Sequence, residues 1–464
     1  MLRARVESIL VLSLAVALFG CAKDEPETQQ HFPSDAEIQE LIQSRIDENR
    51  AVGIVVGVLE KDGSTRVISA GDPGPEARPL GERSVFEIGS ITKVFTAILL
   101  ADMAARGEVG LDDPVSMYLP DGVVTMPTFG GREITLLDLT THRSALPRMP
   151  DNFAPADPAN PYADYTVDQM YEFLSGYELG REIGAEAEYS NLGVGLLGHV
   201  LGLASGMSYE DLVRERIIEP LGMSNSGIGL TAEMNQWLVR GHDMDRNVAA
   251  NWDIATLDGA GALRSDVLDM LRFIEANIGP AESDLEEAMR VTHEARGEFG
   301  RDSQIALGWI ISPVDDDSII WHNGGTGGYH SFAGFDPDRG VGVVVLSNSV
   351  DSIDDIGLHL INSGFPLTEP PPERAEMDVD AAILETYVGE YALAPDFIIT
   401  ITLEEGLTYA QATGQQKFRI YAESETRFFF KVVDAQISFD LDDAGAVTGL
   451  VLFQNGRVMP APRQ

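Results

Sequence analysis

Hydrophobic and polar positions follow different periods along the chain, and these periods divide it into segments. Ser34 precedes a helix-like pattern of apolar positions that reaches about Arg50. Two apolar runs then follow, at 52–59 and 65–70, and the turn sequence KDGS at 61–64 separates them. Such a pair predicts a β-hairpin. The main body is therefore predicted to open with one helix and two paired strands.

The long middle of the chain, about residues 85–300, has helical periodicity interrupted by Gly and Pro turns. Two strand-like runs follow at 318–321 and 340–346, and the second is apolar enough to predict a buried central strand. Because helix and strand patterns are segregated, the early and late strands can share one antiparallel sheet. We predict an α/β (α+β) domain over 34–365, with helices flanking the sheet and a helical subdomain.

A Pro-rich linker is predicted over 366–379, because consecutive prolines favour an extended segment. Beyond it, residues 380–464 show short alternating runs separated by turn signals, which predicts a small all-β barrel domain. The predicted strands of this domain are 397–403, 407–410, 418–421, 427–432, 437–441 and 447–453.

The N-terminus has the pattern of an export signal. Arg3 and Arg5 precede an apolar run at 9–20, which is too short for a bilayer that needs about 20 residues. The run ends in LFGC, which resembles a bacterial lipobox with Cys21 as the lipidated residue. We therefore predict a lipoprotein signal over 1–21, a polar tether over 22–33, and a periplasmic protein attached to the membrane only through its lipid.

An ordinary signal peptide with an incidental cysteine is the alternative for this segment. Cys21 is the only cysteine, so an intramolecular disulfide and a catalytic thiolate in the mature body are both excluded. No later apolar run approaches the length of a membrane-spanning helix.

Charge excludes several partners. The 464 residues include 32 Lys and Arg against 74 Asp and Glu, a net charge of −42, which repels nucleic acid and anionic lipid surfaces. Only five of the basic residues are lysines, and Lys93 is the only lysine between residues 62 and 416.

Ser90 and Lys93 form the first candidate catalytic pair. Their spacing of three places both side chains on one face at the start of an apolar helix, where developing negative charge is favoured. A lysine that loses its proton when desolvated can activate a serine, which an arginine cannot do. A capping serine beside a surface lysine is the alternative for this pattern.

Tyr189 and Asn191 form the second candidate, since residues two apart in an extended segment face one side. The phenol could relay a proton and the amide could hold a substrate carbonyl. The third is His322-Asn323-Gly324-Gly325, placed after a strand, where glycines permit close approach of a substrate backbone. Common turns and a packed histidine are the alternatives for these two patterns.

Together these three motifs resemble the serine β-lactamase and penicillin-binding superfamily. The segments FEIGSITKVFTAILLADM, ITLLDLTTHRSALP, EYSNLGVGLLGHVL and WHNGGTGGYHSFAGFDPDRGVGVVVLSN are similar to its class C branch, which includes D-aminopeptidases, D-Ala-D-Ala carboxypeptidases and esterases. The resemblance covers about residues 35–365. The last domain resembles the lipocalin-like β domain appended to some of these peptidases.

The resemblance implies a role for each motif residue. Ser90 is the nucleophile, Lys93 and Tyr189 are the acid and base, and the backbone amides of Ser90 and Gly325 form the oxyanion hole. The implied substrate-binding residues are Asn191, His322 and Gly324. Which of Lys93 and Tyr189 takes the first proton stays open.

One departure bears on the substrate. Class C enzymes usually have Lys-Thr-Gly where this chain has His322-Asn323-Gly324, and a permanent charge suits a substrate carboxylate better than an imidazole. Efficient β-lactam hydrolysis is therefore in question.

We predict a serine hydrolase that acts on a β-lactam or a D-amino-acid peptide amide. The alternatives are a carboxylesterase with the same residues, acting on short esters, and a weakly catalytic penicillin-binding sensor. No Gly-x-Ser-x-Gly occurs, which argues against an α/β-hydrolase. The eight histidines include no recognisable zinc spacing, so we predict neither a metal nor a cofactor.

Overall fold

The computed structural model describes residues 31–464 except 315–316, 371–373, 395–396, 414, 416, 432, 434, 443 and 455–456. The predicted signal, Cys21 and most of the predicted tether lie outside the described residues. The helices are α1 Asp35–Asp47, α2 Thr92–Ala105, α3 Leu136–Thr140, α4 Val167–Gly176, α5 Asn191–Ser205, α6 Tyr209–Val213, α7 Ala232–Trp237, α8 Val267–Ile278, α9 Asp284–Val291, α10 Asp354–Ile361 and α11 Ala381–Tyr387.

The strands fall into two large sheets and two short pairs. They are β1 Gly53–Leu59, β2 Thr65–Gly71, β3 Phe86–Glu87, β4 Thr128–Phe129, β5 Arg132–Glu133, β6 Arg264–Ser265, β7 Gly297–Phe299, β8 Ser303–Ile305, β9 Ile310–Val314, β10 Asp317–Gly325, β11 His330–Asp336, β12 Val341–Ser347, β13 Gly389–Ala394, β14 Phe397–Glu404, β15 Leu407–Ala412, β16 Lys417–Ala422, β17 Arg427–Phe429, β18 Ala435–Leu441, β19 Val447–Gln454 and β20 Arg457–Pro462.

Helix α1 begins where its polar cap is placed. The Ser34 side chain accepts from the amide of Glu37, and the Glu37 carboxylate accepts from the amide of Ser34, so both ends of a capping box are present. The helix then buries Ile38 and Ile42 against the sheet. The predicted opening, a capped helix followed by paired strands, is confirmed.

The first sheet has the order β2-β1-β12-β11-β10-β9-β8-β7 and is antiparallel throughout. Every residue of β12 is buried, as its apolar run predicts. Successive side chains of a strand point to opposite faces. Accordingly, Val343 and Val345 pack with α1 and α10, whereas Val344 and Leu346 pack on the side of α8. The sheet thus lies between two layers of helices.

Helix α2 is the centre of the larger core. Its residues from Thr92 to Met103 are all buried, and it contacts α5, α6 and α9 of the helical part. Among the described residues no single helix is long and apolar enough to cross a bilayer; α5 meets that test only together with the segment 209–218, across a bend of 82°.

The second sheet, β13 to β20 in sequence order, curls into a nearly closed antiparallel barrel. An isolated bridge between Tyr391 and Arg463 brings its first and last strands together. The pattern analysis predicted only six strands here and missed β13 and β20. Strand β20 was missed because Pro460 and Pro462 argue against a strand in the sequence. A proline is nevertheless tolerated on an edge strand whose N–H side is unpaired.

The two ends of the predicted catalytic domain lie next to each other. The ring Nε2 of His31 lies 2.8 Å from the carbonyl oxygen of Ile361. The described parts of the linker are also held, since Arg50 donates to the carbonyl of Thr368 and the amide of Met377 donates to the carbonyl of Ala422. The linker is therefore attached to both domains rather than free of them.

Candidate active site

Ser90 lies in a 3-10 turn, Gly89–Ile91, that runs directly into α2. The turn requires Gly89, which has a φ of +49°, and a Cβ at this position would lie 2.8 Å from the amide nitrogen of Gly325. The Lys93 Nζ is 2.9 Å from the Ser90 Oγ. The spacing of three residues thus brings the predicted nucleophile and lysine into contact.

Lys93 is buried without a carboxylate partner among the residues that the structure describes. Its Nζ donates to the carbonyl oxygen of Ala260 at 2.7 Å as well as to Ser90. Burial lowers the pKa of Lys93 well below its usual range, and the nearby Arg148 guanidinium lowers this pKa further. A neutral amine can keep its bond to Ala260 and accept the proton of Ser90.

Tyr189 lies on the other side of Ser90. Its ring centroid is 4.9 Å from the Lys93 Nζ, and its hydroxyl is hydrogen-bonded to Ser90. Burial raises the pKa of Tyr189 to about 12, with the Ser90 hydrogen bond and Arg148 opposing the rise. The phenol is therefore protonated at neutral pH and can donate a proton to a leaving group.

Asn191 is the first residue of α5 and not part of an extended segment, although Ser190 before it is extended. Its side chain lines the same cavity as Ser90, and its Oδ1 is buried with no hydrogen-bond partner among the described residues. Its Nδ2 donates to the Tyr162 hydroxyl at 3.4 Å. An unpaired buried acceptor beside the nucleophile suits a substrate N–H group.

A short segment before Tyr189 holds this part of the site in place. The Ser190 amide donates to the His142 Nδ1 at 3.2 Å, and the Ser190 hydroxyl donates to the Pro147 carbonyl at 2.7 Å. The Asn191 amide donates to the Arg148 carbonyl. Residues 142–148 therefore position Tyr189 and Asn191, a role that the motif analysis missed.

The third motif differs from its prediction. Strand β10 continues through Gly325, so His322 and Gly324 lie inside a paired strand and not in a loop after it. Gly324 packs against the turn before Ser90, because a Cβ there would lie 2.0 Å from the Ile88 carbonyl. The close backbone approach explains the glycine.

His322 is buried next to Lys93 and Tyr189 and does not line the cavity with Ser90. Its Nδ1 is 2.5 Å from the carbonyl oxygen of Asn323. Burial, together with the nearby Lys93, lowers the pKa of His322 to about 4. The ring is neutral at physiological pH, so it supplies no charge to a substrate carboxylate.

The two predicted oxyanion donors are the backbone amides of Ser90 and Gly325. The Thr326 amide donates to the Tyr329 carbonyl, which makes Gly325 and His330 a non-hydrogen-bonded pair. In such a pair the backbone groups point away from the partner strand, here toward the turn that contains Ser90. Both Ser90 and Gly325 line the cavity.

The cavity at Ser90 has a volume of about 100 Å³ and is called the catalytic cavity below. Its outer walls include Arg148, Tyr162 and Trp252, none of which was predicted. Arg148 is the only cation that lines it among the described residues, and no described carboxylate lines it. The HRSALP segment directly before Arg148 was the available signal for this residue.

A buried ion pair holds Trp252 over the cavity. The Glu87 Oε1 accepts from Arg264 at 3.2 Å and from the Trp252 amide at 3.0 Å. Arg264 also donates to the Trp252 carbonyl. No cluster of three or more potential metal ligands occurs within the described ranges.

Comparisons with known proteins identify the family of the chain. A family model described as Beta-lactamase matches residues 38–361, and one described as Domain of unknown function (DUF3471) matches residues 373–461. The chain is 30% identical over 385 residues to the D-alanyl-D-alanine-carboxypeptidase/endopeptidase AmpH of Escherichia coli strain K12, a match that covers 77% of this chain and 96% of that protein.

Two further similarities have comparable coverage. Penicillin-binding protein 4* of Bacillus subtilis strain 168 is 27% identical, covering 84% of this chain and 89% of that protein. The crystal structure of a class C beta lactamase from Rhodobacter sphaeroides superimposes with a TM-score of 0.60 and 27% identity, covering 69% of this chain and 95% of that one.

Proposed function

Because this chain belongs to the beta-lactamase family, it is a serine hydrolase, and we propose that its substrates are D-amino-acid peptide amides and β-lactams. The observation that carries the proposal is the contact of Ser90 with Lys93 and Tyr189 in a site where burial lowers the pKa of the lysine. The names of the relatives, a carboxypeptidase and a penicillin-binding protein, support the same substrate classes.

The reaction follows from the positions of these groups. Lys93 accepts the Ser90 proton, the Ser90 Oγ attacks the amide carbonyl, and the amides of Ser90 and Gly325 stabilise the oxyanion. Tyr189 donates its proton to the departing nitrogen as the carbon–nitrogen bond breaks, and it recovers a proton through Lys93. Water then attacks the ester on Ser90, releasing the acid and regenerating the serine.

Arg148 supplies the charge that His322 does not. A C-terminal or β-lactam carboxylate in the catalytic cavity meets one guanidinium and no described acidic side chain. Arg148 forms no ion pair with any described residue, and its side chain lies 5.1 Å from the Tyr189 ring centroid. A planar guanidinium binds a carboxylate through two parallel hydrogen bonds. We therefore assign substrate carboxylate binding to Arg148.

The alternatives from the sequence are not favoured. The esterase alternative uses the same three residues, but the relatives named above are peptidases and lactamases. The sensor alternative gives no reason for a buried lysine with a lowered pKa in contact with the serine.

Mass spectrometry of residues 22–464 mixed with a penicillin tests the proposal. We expect an adduct of the mass of the penicillin that is absent in Ser90→Ala, and its lifetime separates a stable penicillin-binding peptidase from a lactamase. Intact penicillin together with no adduct over hours would contradict the proposed substrate class.

We also propose that the protein is exported and anchored in the bacterial envelope by a lipid on Cys21. The basic residues before a short apolar run and the single cysteine at its end support this location. Metabolic labelling with a palmitate analogue should label the wild type and not Cys21→Ser. An unlabelled wild type would contradict the anchor.

A further inference from the structure

A second and larger cavity lies between the catalytic domain and the barrel, and it is called the interdomain cavity below. Its volume is about 880 Å³, within the range of about 300–1,000 Å³ typical of ligand sites. Strands β15 and β16 and the residues after β17 form its barrel wall, and residues 48–50, 243–246 and 350–351 form the opposite wall.

The barrel wall is built from alternating positions. Lys417, Arg419 and Tyr421 follow each other along β16 with a spacing of two, whereas Ile420 between them is in the barrel core. The three side chains therefore share the outer face. Arg419 lies 4.5 Å from the Tyr421 ring centroid, and the Lys417 Nζ lies 4.8 Å from the Tyr409 ring centroid. The wall thus presents cations held against aromatic rings.

This concentration of cations is unusual in a chain with a net charge of −42. Two of the five lysines, Lys417 and Lys431, line the cavity together with Arg374 and Arg419. Each of these lysines pairs with a glutamate, but Arg419 forms no ion pair with any carboxylate in the described part of the chain. A half-buried guanidinium without such a partner favours an anionic ligand.

The wall formed by the catalytic domain limits where an anion can lie. Its carboxylates are Glu48, Asp243, Asp245 and Asp351. Asp351 is paired with Arg246, and Glu48 with Arg50. Since these charges repel an anion, a ligand carboxylate is expected against the barrel wall at Arg419.

One loop separates the interdomain cavity from the catalytic cavity. Gly325 and Thr326 line the catalytic cavity, and the next residue, Gly327, lines the interdomain cavity. A Cβ at Gly327 would lie 2.6 Å from the Trp252 Nε1, so the loop is closely packed against a tryptophan that lines the catalytic cavity. Consecutive residues of this loop therefore contribute to both cavities, which places the two cavities next to each other.

We propose that the interdomain cavity binds the acidic portion of an extended peptide substrate, with Arg419 receiving a carboxylate while the scissile bond lies at Ser90. The choice of a peptide as the ligand rests on the proposed function; the anionic character of the ligand rests on the cavity itself. The barrel would then select substrates by charge at a distance from the reacting bond.

Equilibrium binding tests the site without catalysis. The probe is tetraglutamate with an uncharged fluorophore, and the protein is residues 22–464 carrying Ser90→Ala. Adding Arg419→Gln should weaken binding about tenfold or more, as expected for the loss of one charged hydrogen bond. Binding should also weaken with added salt, and labelled tetraglutamine should bind poorly.

Arg427→Gln is the matched control, because Arg427 lies on the same barrel and over an aromatic ring, Phe453, but does not line the interdomain cavity. It should leave the affinity for tetraglutamate unchanged. The site is overturned if tetraglutamate does not bind at millimolar concentration, or if the Arg419 and Arg427 variants lose affinity equally.

Catalysis tests whether the ligand is part of the substrate. Two peptides ending in D-Ala-D-Ala, with glutamate or glutamine residues upstream, are compared with the otherwise wild-type enzyme. We expect a higher kcat/KM for the glutamate peptide and loss of this preference in Arg419→Gln. If tetraglutamate binds but the enzyme cleaves the glutamate and glutamine peptides with equal kcat/KM, the assignment of the ligand as substrate is overturned. Failure to cleave either peptide counts against the proposed function alone.

Discussion

The start of α2 and the outer face of β16 both place a lysine over a tyrosine ring, yet the two lysines differ in burial and in their partners. The Nζ of Lys93 is 4.9 Å from the Tyr189 ring centroid, and the Nζ of Lys417 is 4.8 Å from that of Tyr409. Lys93 is 1% exposed and contacts a serine and a carbonyl; Lys417 is exposed and bonded to Glu404 at 2.6 Å.

The difference shows that burial, and not the type of contact, decides what each lysine can do. Desolvation lowers the pKa of Lys93, which suits it to the proposed role of a base. Lys417 lies near solvent and contacts the Glu404 carboxylate, a setting that suits recognition of a ligand. An arginine can replace a lysine in the second setting but not in the first.

The largest expected effect is that of Lys93→Arg. A guanidinium cannot lose its proton near neutral pH, so acylation of Ser90 by a penicillin should slow by about 10²- to 10⁴-fold. The rate is obtained by quenching the reaction at a series of times and measuring the intact mass of the protein. Lys61→Arg, at an exposed turn, is the control and should acylate normally. A Lys93→Arg rate within tenfold of wild type would show that Lys93 is not the base.

The next effect concerns pH and Arg148. Acylation requires neutral Lys93, so kcat/KM should rise with pH through the lowered pKa of Lys93 and then stay level until Tyr189 deprotonates near its pKa of about 12. Removing a positive charge in Arg148→Gln raises the pKa of Lys93. The rising limb should therefore move to higher pH, by up to about one pH unit.

The position of this limb is independent of substrate affinity, which Arg148→Gln should also reduce. Arg181→Gln, which removes an arginine paired with Glu188, is the control and should leave the limb in place. A limb that moves to lower pH in Arg148→Gln would contradict the charge assignment.

The smallest effect is expected from a substitution of the exposed Lys417, on the free energy of unfolding. Its ion pair with Glu404 is near solvent, so Lys417→Gln should change the free energy of unfolding by less than about 1 kcal/mol. Urea denaturation of the full chain measures this change. A loss of several kcal/mol would mean that Lys417 is structural and not a recognition residue.

Local patterns predicted the elements whose signals are local. The Ser34 cap, the hairpin around KDGS and the apolar strand β12 all depend on neighbours in sequence. The spacing of Ser90 and Lys93 was likewise readable, because it is contained within one helical turn.

The remaining features depend on contacts between distant segments. Strand β10 continues through the glycines because β11 pairs with them, which no turn signal reveals. Arg148 became a site residue only because its carbonyl accepts the first amides of α5. The cations of β16 could not be assigned to a cavity from the sequence, because the cavity forms only where the barrel places them opposite residues 243–246.

The contact of His31 with the Ile361 carbonyl places the two ends of the catalytic domain side by side. A domain with adjacent ends can be inserted into a loop of another protein, or its ends joined and reopened elsewhere, without stretching its chain. With this arrangement, further domains can be attached to the catalytic domain at a single point on its surface.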